Sequence, residues 1–137
     1  MPRTRRPPTL TILLSLIATL ACSESAAPDP LAACGGPVTL TVGSGTSPSI
    51  SWAPTCRLFL LLVEDPSGGG DQWGVLSDSS NAIGAPVSYG TLPTGATKTI
   101  TPAMALQSGH LYHAVVYRFT GPGHEDGTVI GQTDFTP

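Results

Sequence analysis

The apolar positions of this chain come in short runs, many with a period of two, broken every few residues by Gly, Pro, Ser or Thr. Val38-Thr39-Leu40-Thr41-Val42 alternates over five residues, and Ser49-Ile50-Ser51-Trp52 alternates again after the turn cluster 43–48. Residues two apart share one face of a strand, so these runs predict a hairpin whose second arm ends at Ala53-Pro54. The segment 57–63 (RLFLLLV) is apolar without a break after its first residue and predicts a third strand. Residues 64–71 read as a flexible Gly-rich loop, 72–76 as a short strand and 77–81 as a polar loop. In 82–101 the candidate strands are 86–89 and 98–101, set between Gly/Pro/Thr turns. The segment 106–119 (LQSGHLYHAVVYRF) is the most informative: a turn, a tyrosine, then a long strand. A turn at 121–127 and a last strand at 128–135 complete the chain.

Composition strengthens this picture. The chain has 137 residues, enough for one domain, with 16 Gly, 14 Pro and only 11% charged residues. Long amphipathic helices need many Leu, Glu, Lys and Arg, which are scarce here. The expected fold is all-β, a two-sheet antiparallel β-sandwich of about seven strands over residues 36–137.

The N-terminus breaks the pattern and reads as an address. Arg3, Arg5 and Arg6 precede the mostly apolar run Leu10–Ala21. As a helix those twelve residues rise about 18 Å, short of a hydrocarbon core of about 30 Å. A basic start, a short apolar run and small residues at its end predict a signal peptide, residues 1–21. The run closes Thr19-Leu20-Ala21-Cys22, which resembles a lipoprotein lipobox and implies acylation of Cys22. Residues 22–35 would then form the lipidated Cys and a Pro-containing tether. The alternative is ordinary cleavage after Ala27, which removes Cys22. In either case Cys34 and Cys56 remain, an even pair for one disulfide in an oxidising compartment. Folding the predicted hairpin brings these two cysteines together at its open end.

Removal of residues 1–21 leaves three Lys/Arg against nine Asp/Glu, a net charge of −6. A domain that acidic repels phosphate backbones, so nucleic acid is not an expected partner. The expected partner is a membrane, through the lipid anchor.

Two stretches carry a family resemblance. SISWAP (Ser49–Pro54) resembles the second strand of fibronectin type III modules, with an inward Trp just before a Pro. LQSGHLY (Leu106–Tyr112) resembles the turn-and-strand entry of the same modules, and sixty residues separate Trp52 from Tyr112. The resemblance covers about residues 37–137. It implies that Tyr112 turns its hydroxyl back to an upstream backbone group and pins the crossover between sheets. Gly109 would supply a permissive φ and Leu106 would plug the core. The disulfide is not typical of that family.

Candidate chemistry is sparse. His110 and His113 are three apart, so on a strand they face opposite sides and cannot share a metal. The tip His124-Glu125-Asp126 offers too few oxygens for calcium and reads as a solvated turn. There is no Gly-x-Ser-x-Gly elbow, phosphate loop or Cys-x-x-Cys pair, so no metal, cofactor or catalytic residue is assigned. One anomaly points to binding. If Tyr112, Ala114 and Val116 face inward, then Leu111, Val115, Tyr117 and Phe119 face outward with His113. The strand 57–63 is apolar on both sides as well, and the two strands neighbour each other in such sandwiches. The outer face is then either an exposed apolar contact platform or a surface covered by the 65–95 region through Trp73 and Tyr89. The expected function is a non-catalytic, extracytoplasmic, membrane-anchored binding or scaffolding module that meets a protein or glycan. The alternatives are a small secreted hydrolase using His113 and a purely structural surface lipoprotein.

Overall fold

The computed structural model describes residues 32–78, 80–121 and 127–137. The expected signal segment, Cys22 and the tip 124–126 lie outside them. The described chain is all-β. Its strands are β1 (Thr39–Val42), β2 (Ser49–Ala53), β3 (Leu60–Asp65), β4 (Gly70–Leu76), β5 (Val87–Ser88), β6 (Lys98–Thr101), β7 (Tyr112–Phe119) and β8 (Gly127–Phe135). They form two antiparallel sheets, ordered β1-β2-β5 and β6-β4-β3-β7-β8. This is the expected two-sheet antiparallel arrangement of about seven strands, with eight in all among the described residues.

The β1–β2 hairpin pairs Leu40 with Trp52 and Val42 with Ile50, so the alternating apolar residues share the inner face. They meet Leu61, Val63, Val75, Ala114 and Val116 of the larger sheet in one buried core. Trp52 lies in that core, and its indole N–H donates to the Cys56 carbonyl at 2.8 Å, which satisfies a polar atom that burial would otherwise strand. The sheets also meet edge to edge: Val38 N–H donates to the Ile130 carbonyl at 2.8 Å. Gly131 permits this approach, since a Cβ there would lie 2.7 Å from the Val38 carbonyl oxygen.

Three segments differ from expectation. The third strand begins at Leu60 rather than at 57, because Arg57 and Leu58 are drawn into isolated bridges with Ala33 and Ile83. The segment 64–71 is ladder at both ends: Glu64 opposes Asp71 and Asp65 opposes Gly70. Its turn is closed by the Asp65 carboxylate, which accepts from the Ser67 amide at 2.9 Å and the Ser67 hydroxyl at 2.6 Å. Residues 32–35, expected in the tether, are joined to the sandwich. Arg57 N–H donates to the Ala32 carbonyl and Cys34 N–H to the Arg57 carbonyl, at 2.8 and 3.0 Å. The Cys34–Cys56 disulfide is formed, and both residues are buried.

The entry to β7 has the geometry that its residues suggest. Gly109 adopts φ +78°, Leu106 is buried, and the buried Tyr112 hydroxyl accepts from the Gln107 amide at 2.9 Å. Replacing Tyr112 with Phe removes the acceptor and leaves a partly buried N–H unpaired. The expected loss is about 1–2 kcal/mol, read from the urea midpoint. An unchanged midpoint would show that the hydroxyl is idle.

Candidate functional site

The β3–β7 register decides which side chains share the outer face of the five-stranded sheet. Leu61 opposes Val116 and Val63 opposes Ala114 in the core, so Leu60, Leu62 and Glu64 point outward opposite Tyr117, Val115 and His113. Leu111, Val115, Tyr117 and Phe119 lie on this outward parity, as their spacing implies. Their exposures differ widely. Leu111 is 47% exposed and precedes the strand, Tyr117 and Phe119 are half-buried, and Val115 is only 4% exposed.

Val115 belongs to a small second apolar cluster. Phe59, Leu62 and Val115 are buried yet stand apart from the main core. Phe59 stacks at a tilt on Phe119, with ring centroids 5.2 Å apart. Gly127 brings β8 close to the rings of Phe59 and Tyr117. On the other side Gly74 has no side chain, and Leu62 and Ile100 fill its place: a Cβ there would meet them at 2.6 and 2.7 Å. Ile100 at 40% and Val129 at 45% exposed border the cluster. The expected covering by Trp73 and Tyr89 does not occur. Both lie in the main core, ring centroids 5.2 Å apart, and the Tyr89 hydroxyl donates to the Met104 carbonyl at 2.7 Å. Burial pushes the Tyr89 phenol up to about 12. The run Pro86-Val87-Ser88-Tyr89 does carry the alternation that puts Val87 and Tyr89 on one face, and this was the available signal for Tyr89.

One edge of the outer face is acidic. Asp71, Glu64, His113 and Asp134 oppose one another in turn across β4, β3, β7 and β8. His113 Nδ1 lies 2.6 Å from Asp134 Oδ1. Tyr117 is raised above the usual phenol range, first by burial and then by the Glu64 and Asp71 carboxylates. His110 is separate from this row. Its Nε2 lies 3.1 Å from Asp65 Oδ2, an ion pair when the imidazole is protonated. The Asp65 carboxyl is held below the usual range, first by the Ser67 hydroxyl, then by the Ser67 amide and His110. Each imidazole therefore has a carboxylate within reach. Neither lines the concavity formed by residues around Thr55–Thr94 or the one around Thr46–Leu106. No Ser hydroxyl bonds to either imidazole, and no group of three metal-ligating side chains occurs, among the described residues.

Two polar side chains, one in the polar loop 77–81 and one on the strand 72–76, also hold the neighbouring turns. Asn81 clamps the end of β7: its Oδ1 accepts from Phe119 N–H at 2.9 Å and its Nδ2 donates to the Phe119 carbonyl at 3.3 Å. Gln72, buried at the bulge of β4, donates to the Gly69 and Gly70 carbonyls. A lone Asn in a loop or Gln on a strand carries no such signal, since the partners are distant or depend on the bulge. The chain matches no protein-family model, no curated protein and no solved structure.

Proposed function

We propose that this chain is an exported envelope lipoprotein, anchored through Cys22, whose sandwich is a non-catalytic binding or scaffolding module of the fibronectin type III kind. It would meet a protein or glycan through the outer face of the five-stranded sheet. The observation that carries the binding reading is the apolar character of this outer face. Ile100 and Val129 are exposed beside a small buried cluster of Phe59, Leu62 and Val115, and Leu111 is exposed on the same parity just before β7, which is more apolar surface than one solvated sheet face needs. The acidic row along its edge suits a partner whose apolar surface is bordered by basic groups. The Cys34–Cys56 disulfide is compatible with export. The Tyr112–Gln107 bond, the buried Trp52 and the pairing of β3 with β7 support the family resemblance.

A hydrolase reading draws on His113, which Asp134 would orient. It would still need a nucleophile beside the imidazole and a cavity over it. The lipid and surface claims are tested together. Cells grown with a labelled fatty acid should label the wild type and not Cys22→Ala, because acyl chains bury about 0.8 kcal/mol per CH₂ and anchor the chain. The folded protein should also bind an apolar dye, and binding should fall in Ile100→Ser. Absent label, or label that persists in Cys22→Ala, rejects the anchor. A protein that binds no dye favours the purely structural reading.

A further inference from the structure

We propose that the concavity between the Thr55–Arg57 corner and the loops flanking β5 binds an acidic sugar, with Arg57 receiving its carboxylate. The site is separate from the sheet face described above and does not rest on that reading. None of its lining residues belongs to β3, β4, β7 or β8. Its volume, about 480 Å³, is that of a small-ligand pocket.

The walls are built before any ligand arrives. Arg57 is held by its backbone on both sides, to the Ala32 carbonyl and the Cys34 amide. The adjacent Leu58 and Ile83 exchange two backbone bonds at 2.8 and 3.0 Å, and the disulfide holds the preceding residue, Cys56. The opposite wall is equally tied. Thr91 Oγ1 donates to the Ser88 carbonyl at 2.8 Å, and Ala96 N–H donates to the Pro93 carbonyl at 3.1 Å. Gly95, at φ +91°, packs on the Ala82 carbonyl so tightly that a Cβ would lie 2.6 Å from its carbon. A preformed concavity spares a ligand most of the ordering cost of binding.

The lining names the ligand class. Arg57 is its single charged side chain, and among the described residues it has no carboxylate partner. Arg118, in contrast, spends its Nη1 on the Cys34 and Gly35 carbonyls. In a chain with net −6 beyond residue 21, the one cationic residue lining this concavity would favour an anion. Its planar fork matches a carboxylate with two parallel bonds. Thr55, Ser88 and Thr94 line the same concavity, and Pro86 and Pro93 add apolar wall. One carboxylate, several hydroxyls and a C–H face describe a uronic acid unit.

The test is an NMR titration of the full chain in detergent micelles, disulfide intact, with glucuronate as probe and glucose, acetate and inorganic phosphate as controls. Glucuronate should shift the amides of Thr55, Arg57, Ser88 and Thr94 saturably, and glucose should not. Arg57→Gln should weaken binding about 10- to 100-fold, the equivalent of one lost charge-assisted pair, with the thermal midpoint unchanged. The midpoint should hold because the backbone bonds of Arg57 to Ala32 and Cys34 survive the substitution. Absent shifts, or affinity unchanged in Arg57→Gln, overturn the site. Phosphate or acetate binding as tightly as glucuronate overturns the sugar assignment.

Discussion

Reducing the Cys34–Cys56 bond should cost the sandwich about 3 kcal/mol, the order expected when a link across 22 residues is released from the unfolded ensemble. For a domain of this size that is a fall in thermal midpoint on the order of 12–24 °C. The effect should be local as well as global. The bond fastens residues 32–35 to the Arg57 corner, so reduction should open the chain to proteolysis there first. The check is a pair of melts: wild type with and without reductant, and a Cys34→Ala, Cys56→Ala double variant. The variant should melt near the reduced wild type and ignore reductant. A midpoint that reductant does not move would remove the argument from the disulfide to an oxidising compartment.

Trp73→Ala should cost about 3–5 kcal/mol, comparable to the whole stability of a small domain. Trp73 is 1% exposed and is the largest of the fully buried side chains. It stands opposite Val63 on β4 and packs on Tyr89. Removing it opens a cavity beneath the strand and loosens the Tyr89 ring, whose hydroxyl ties β5 to the segment before β7. Near-UV circular dichroism should show loss of the cooperative transition or a midpoint lowered by tens of degrees, with Trp73→Phe in between. A drop of only a few degrees would mean that Trp73 is not a core residue. The same substitution at an outward position such as Ile100 should move the midpoint little, which separates core from surface.

Alternation along the chain was enough to place Leu40, Ile50, Trp52, Tyr112, Ala114 and Val116 in the core, because period-two patterning reports which side of a strand is buried. Turn chemistry located the β1–β2 hairpin and the Gly109 turn, where only a few residue types accept the backbone geometry. The cysteine pairing followed from the hairpin, since closing it leaves the two residues side by side. These features are local, or one turn removed from local.

What lay beyond the sequence depends on contacts between distant segments. The kink at 57–59 exists because Ala33 and Ile83 compete for the backbone of Arg57 and Leu58. The ladder at 64–71 needs β4 beside it, and without that partner its Gly and Asp residues resemble a loop. Val115 has the spacing of an exposed residue, yet it is buried beside Leu62, among residues from strands far apart in the chain. The concavity lined by Arg57 is equally invisible in one dimension, since its other wall comes from residues 82–94. A strand's pattern states which residues alternate. Which strand lies alongside, and therefore what covers the second face, is decided only when the long-range pairings close.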